Sequence, residues 1–204
     1  MTPLKTRQLA RRSLLHGLVF LFAAGFLVSL TGPAHADRPA AFMKSVGNKL
    51  IAAARTGSPY KMYEIIRAHS DLPDIGLFSL GSYRKQLPSS RRSSYYDGVA
   101  RFMTRYFIGQ AKRYQVMKLD VYRPSSRVNW GHKVDSRVTL RDGSTYKLRW
   151  HVVPRRGGLK IRDVAILGVW LTPISLTDQQ RNLFENYISE NGGKVSALLS
   201  ALGG

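Results

Sequence analysis

Cysteine is absent from the 204 residues, which excludes a disulfide framework and a thiolate metal site and leaves burial of apolar surface to hold the fold together. Acidic residues are scarce. Twelve Asp and Glu stand against 32 Lys and Arg, a formal charge of +20, and so basic a surface implies an acidic counterpart. Inside a cell that counterpart is commonly nucleic acid; outside it, anionic lipid headgroups or an acidic protein face. Long apolar runs are missing as well. The run from Leu18 to Leu30 covers about 13 residues, short of the roughly 20 that cross a bilayer.

Catalytic signatures are missing too. There is no Gly-x-Ser-x-Gly elbow, no phosphate loop and no His-Glu-x-x-His. Beyond residue 36 the histidines are His69 at a helix end, His132 in an expected turn and His151 on an expected wet strand face, none paired at i, i+4. No catalytic residue, metal ligand or cofactor is assigned. Asp163 interrupts an apolar strand, and its expected role is a buried carboxylate satisfied by an arginine or a backbone amide.

What is present begins with an export signal. Lys5, Arg7, Arg11 and Arg12 form a basic start with no acid, the apolar run follows, and Gly32-Pro33 precedes the small-x-small site Ala34-His35-Ala36. The expectation is a signal peptide over residues 1–36, cleaved after Ala36, and one domain over 37–204 working in the periplasm. The pair Arg11-Arg12 leaves both the general and the twin-arginine routes open.

The rest of the chain reads as helices, then strands, then helices. Phe42, Met43, Val46, Leu50 and Ile51 share one helical face before a break at Gly57-Ser58-Pro59. Tyr60, Tyr63, Ile65 and Ile66 mark a second helix. Ile75, Leu77, Phe78, Leu80 and Tyr83 form a third stripe that runs to Pro88. The strongest helical period covers 91–114, with Tyr95, Val99, Phe102, Met103, Tyr106, Phe107 and Tyr114 on one face and a cap expected at Ser89 or Ser90.

The period then drops to two. Val134, Ser136, Val138 and Leu140 alternate with polar residues, Asp142-Gly143 turns the chain, and Tyr146, Leu148, Trp150 and Val152 alternate on the way back. Leu159 to Val169 gives a further strand, and Val116 to Tyr122 an earlier one. A capping box at Thr177 to Gln180 opens the last long helix, and Val195 to Leu202 forms a short one. The predicted class is α+β: a curved antiparallel sheet of about four strands packed by N- and C-terminal helices. Because the aromatics of 91–114 are segregated from its arginines, that helix reads as core rather than as a nucleic-acid platform.

Several ordered strings resemble the MlaC family of periplasmic phospholipid-binding proteins, also called toluene-tolerance proteins. They are Asp74-Ile75-Gly76-x-Phe78-x-Leu80-Gly81-x-Tyr83, then Leu159-Lys160-Ile161-Arg162-Asp163-Val164 leading into Gly168-Val169. After these come Arg181-x-x-Phe184, Ile188-x-x-Asn191-Gly192-Gly193 and Leu198-Leu199-x-x-Leu202. Trp170 stands where the family usually has serine, and Arg84 where a second aromatic is common.

The resemblance implies a deep apolar cavity for acyl chains. On the residues above, its wall is expected from Phe78, Leu80, Phe102, Met103, Phe107, Val138, Leu140, Tyr146, Leu148, Trp150 and Val152. It further implies a monomeric carrier without a cofactor, passing phospholipid between an inner-membrane ABC transporter complex and an outer-membrane lipoprotein complex. Arg149, Arg155, Arg156 and Arg162 are candidates for guiding encounters with anionic membrane or acidic partners. Another envelope lipid such as a hopanoid, or an exported enzyme using Asp163 or His151 in the same cavity, are the alternatives.

Overall fold

Asp37 opens the first helix, α1 (Arg38–Thr56), by accepting a hydrogen bond from the Ala40 amide at 3.1 Å, and Gly57 closes it in the left-handed conformation. The same carboxylate accepts from the Ser125 amide at 2.6 Å and the Ser125 hydroxyl at 2.7 Å, which pins the start of α1 to the sheet's edge loop. The computed structural model describes residues 37–168 and 173–203. The expected export segment and the Trp170 stretch lie outside them. Among the described residues, no helix is long and apolar enough to cross a membrane.

Ser58 caps α2 (Pro59–His69), and α3 follows at Leu72–Ser79. The third stripe, expected to run unbroken to Pro88, instead stops at Leu80 and continues as a 3-10 turn, Gly81–Gln86. The cause is tertiary. The Ser82 amide is drawn to Glu185 Oε1 at 2.9 Å, and Gly81, at φ +50°, lets that carboxylate approach where a side chain would stand. The long helix α4 spans Arg92–Tyr114. Neither Ser89 nor Ser90 caps it, because a 3-10 turn over Ser89–Arg91 leads into it and the Arg91 amide is satisfied by the Pro88 carbonyl at 3.0 Å.

The sheet holds six antiparallel strands rather than about four: β1 (Val116–Val121), β2 (Ser126–Val128), β3 (Gly131–Leu140), β4 (Thr145–Arg155), β5 (Gly158–Leu167) and β6 (Ile174–Ser175). Their order is β1-β3-β4-β5-β6, with β2 also paired to β3, and the sheet does not close. The two additions, β2 and β6, are too short to show alternation. His132, expected in a turn, is the second residue of β3 and pairs with Val152. The hairpin at Asp142-Gly143 forms as read, with Asp142 Oδ1 accepting from the Ser144 amide at 2.9 Å.

Two more helices follow the sheet, α5 (Leu176–Glu190) and α6 (Val195–Ala201). The cap of α5 is Ser175, not Thr177. Ser175 ends β6 in an extended conformation and its hydroxyl accepts from the Asp178 amide at 3.1 Å, while the Thr177 amide turns to Asp163 Oδ1 at 3.1 Å.

Two apolar cores result. One is helical, joining Ile66, Ile75, Leu80, Tyr95, Val99, Phe184, Ile188 and Leu199; the other lies between α1 and the sheet, joining Met43, Val46, Val134, Trp150, Val152, Ile161 and Val164. Tyr95 is fully buried, and its hydroxyl donates to the Gly76 carbonyl at 2.8 Å. Without that hydroxyl the Gly76 carbonyl keeps only the Leu80 amide, at 3.3 Å. Tyr95→Phe is expected to cost about 1 kcal/mol, read as a lower urea midpoint with unchanged slope.

Candidate functional site

Side chains of both cores line a seam between them that they do not fill, and a cleft of about 310 Å³ remains there. Val46 and Leu50 of α1, Ile65 and Ile66 of α2, Phe102, Met103 and Phe107 of α4, and Trp150, Ile161 and Val164 of the sheet make most of its wall. Trp150 faces it as an apolar ring because its Nε1 donates to Ser136 Oγ at 2.8 Å, which also explains a serine on the buried face of β3. Tyr106 of α4 and Leu183 of α5 line the cleft yet are 38% and 53% exposed, marking a rim between those helices.

Of the residues expected on the wall, Phe102, Met103, Phe107 and Trp150 line this cleft. The others sit elsewhere. Leu80 is consumed by the helical core and Val152 by the sheet core, both fully buried; Val138 and Leu140 are buried on β3, and Leu148 packs on the sheet core. Phe78 lies under the Arg181 guanidinium, 5.4 Å from its centre, beside a separate shallow hollow. Tyr146, near the hairpin end, is 36% exposed. The expected strand residues share the inward alternation of the sheet, but the cleft touches only the part of that face under α1, α2 and α5. Val46, Leu50, Ile65 and Ile161 were missed as wall residues although their apolar spacing was visible, because spacing does not distinguish packed core from cavity lining.

One end of the cleft is polar, with His69, Ser70, Arg162, Asp163, Thr177, Gln179 and Gln180. A bulge in β5 places two of them. Val152 pairs with Ile161 and His151 with Asp163, so Arg162 is an extra residue and the apolar set switches from Leu159 and Ile161 to Val164 and Ile166. Arg162 Nε reaches Asp74 Oδ2 at 2.7 Å, and Asp163 is buried with its carboxylate on the Thr177 amide. Gln180, also buried, donates to Ser79 Oγ at 2.9 Å. No group of three or more metal-ligating side chains occurs among the described residues.

His151 does not stand on a wet face. Trp130 packs over it at 4.7 Å between ring centroids, and Asp163 Oδ2 is 3.9 Å from its Nδ1. Burial holds its pKa below the ordinary 6.5 against the opposing pull of Asp163, with Lys133, Arg149 and Arg162 adding to the depression. Burial likewise lowers that of His69, helped by Lys49 and Lys160. A histidine with a depressed folded-state pKa contributes stability that is complete above the unfolded value and is withdrawn as pH falls through it. Acidification from about pH 7.5 to about pH 5.5 is therefore expected to lower the denaturant midpoint, and the double variant His69→Gln, His151→Gln to lose less over that window.

The arginines expected to guide encounters are mostly engaged within the fold. Arg149 clasps Asp135 at 2.7 and 2.8 Å and holds that carboxyl below its usual range. Arg155 pairs with the buried Asp71 at 2.6 Å and lies 3.6 Å from Asp74, which also takes Arg162. The Arg155 and Arg162 pairs stitch the α2–α3 junction onto β4 and β5, where the Asp71 amide also donates to the Ile161 carbonyl at 2.8 Å. Of the four, only Arg156 forms no ion pair with the described residues.

An open antiparallel sheet packed by helices, with an apolar cleft at the seam, defines an α+β domain of the ligand-holding kind. Residues 47–203 match the family model described as MlaC protein, and the chain belongs to that family. Among solved structures, a phospholipid-binding protein from Ralstonia solanacearum, determined in complex with a phospholipid, shares the fold. Its TM-score is 0.63 at 21% identity, over 79% of this chain and 93% of that one. A comparison with curated proteins returned no match.

Proposed function

We propose that this protein binds phospholipid in the cleft between α1, α2, α4, α5 and the sheet, and carries it as a monomer through the periplasm. The donor and acceptor are an inner-membrane ABC transporter complex and an outer-membrane lipoprotein complex. The observation that carries the reading is the unfilled apolar seam walled by Val46, Ile65, Phe102, Phe107 and Trp150. Membership of the MlaC family and the fold shared with a phospholipid-bound protein support it. Burying a methylene is worth about 0.8 kcal/mol, so a lipid with about 30 chain methylenes needs a cover worth on the order of 20 kcal/mol to leave a membrane. At about 310 Å³ the cleft stands at the small end of ligand pockets. Loading two chains therefore widens it, and the gap rimmed by Tyr106 and Leu183 is where α4 and α5 part.

Binding and transport rather than catalysis fit the polar groups as well. Asp163, the acid of the enzyme alternative, is committed to the Thr177 amide, and His151 is not among the side chains lining the cleft. Native mass spectrometry of the protein purified from an exporting bacterial host tests the proposal. The expected result is an adduct of phospholipid mass that organic extraction removes. A bare protein mass, with no uptake from phospholipid vesicles, overturns it.

A further inference from the structure

With Arg149, Arg155 and Arg162 spent inside the fold, free positive charge gathers at the end of the molecule where α4 runs into β1. From Gly98 to Leu119 the chain has five basic residues and no acid. Lys112, Arg113 and Tyr114 close α4 and are exposed, as is Met117 in β1. The β3–β4 hairpin and α1 are tied to the same junction. The Arg141 amide donates to the Gln115 carbonyl at 3.1 Å, and the Arg55 guanidinium to the Met117 carbonyl at 2.9 Å. Among the described residues, Lys112, Arg113 and Arg141 form no ion pair. The hairpin's own acid, Asp142, is turned onto the Ser144 amide and hydroxyl at 2.9 and 2.6 Å.

Aromatic surface collects with that charge. Four of the eight large apolar side chains exposed among the described residues lie on α4's second half, its junction with β1 and the hairpin: Tyr106, Tyr114, Met117 and Tyr146. The Arg113 guanidinium lies 5.3 Å from the centre of the Tyr114 ring. Apolar rings with hydroxyl tips, set among unpaired cations, match the interfacial zone of a bilayer, where rings sit at headgroup level and Lys and Arg meet anionic headgroups. We infer that Lys112, Arg113, Tyr114, Met117, Arg141 and Tyr146 seat the protein on an anionic bilayer surface. The patch continues to the cleft, since Tyr106 lines both, so a seated protein holds the cleft rim beside the lipid. Attachment is separate from the cargo reading, because a vesicle holds or releases the protein whether or not the cleft fills.

The test is sedimentation of the purified protein with sucrose-loaded vesicles, either of phosphatidylcholine mixed with phosphatidylglycerol or of phosphatidylcholine alone. The wild type is expected to pellet with the anionic vesicles only, and to be released by high salt, which screens the attraction. The triple variant Lys112→Gln, Arg113→Gln, Arg141→Gln is expected to lower that partition about tenfold or more. The control Arg84→Gln, Lys85→Gln, Lys194→Gln removes the same charge from exposed positions around the Gly81–Gln86 turn, which precedes the opposite end of α4. It is expected to change the partition by no more than about threefold. Equal losses in the two triple variants mean that net charge alone attracts the protein, and overturn the inference. So does a wild type that stays in solution, which leaves this end of the molecule to an acidic protein face. Protein that pellets with anionic vesicles but carries no lipid sinks the cargo reading and leaves this inference standing.

Discussion

Ile65→Trp is expected to strip the protein of lipid while leaving it folded. Ile65 is half-buried on α2, lines the cleft and packs against both cores, so an indole there projects into the empty seam rather than into filled core. Each methylene it excludes forfeits about 0.8 kcal/mol, so displacing two lowers affinity about tenfold and displacing more lowers it proportionally further. The thermal midpoint should hold, because filling a void restores contacts that its lining lacks. Native mass spectrometry beside a thermal melt reads both quantities. Undiminished lipid in a folded Ile65→Trp protein would place the acyl chains somewhere other than this cleft.

The second large effect is on stability. Gly131 begins β3 at φ +153°, and a Cβ there would stand 2.4 Å from the Val152 carbonyl oxygen and 3.1 Å from the Val153 Cα. Both are backbone atoms of β4, which cannot rotate aside as a side-chain tip can. Gly131→Ala is expected to cost roughly 3 kcal/mol or more, since strain in φ adds to a clash that pushes two paired strands apart. Gly143→Ala is the control, with φ +84° and nothing within 4 Å, and its cost is limited to conformational strain of about 1 kcal/mol. Urea denaturation of both variants separates the terms. A Gly131→Ala midpoint no lower than that of Gly143→Ala would mean the β3–β4 approach is looser than these distances.

How much of this was legible beforehand differs by element. The period of α4 and the alternation of β3 and β4 are local consequences of which face meets water, so they could be read directly from residue spacing. The bulge in β5 leaves a mark in residue spacing. Leu159 and Ile161 are two apart and Val164 and Ile166 are two apart, but Ile161 and Val164 are three apart, the slip an inserted residue produces. The ends of α3 and α5 were misplaced for a different reason. They depend on Glu185 reaching Ser82 and on Asp163 reaching Thr177, contacts between residues far apart in the chain.

The sequence by itself determined the α+β class and the main helices and strands, because solvent imposes those patterns one element at a time. Tertiary structure decided which inward residues face empty space and which are spent on core. It also decided that Arg149, Arg155 and Arg162 serve the fold through Asp135, Asp71 and Asp74. Those outcomes depend on how elements distant in the chain pack together and on which charges that packing brings into contact, and no single segment encodes either.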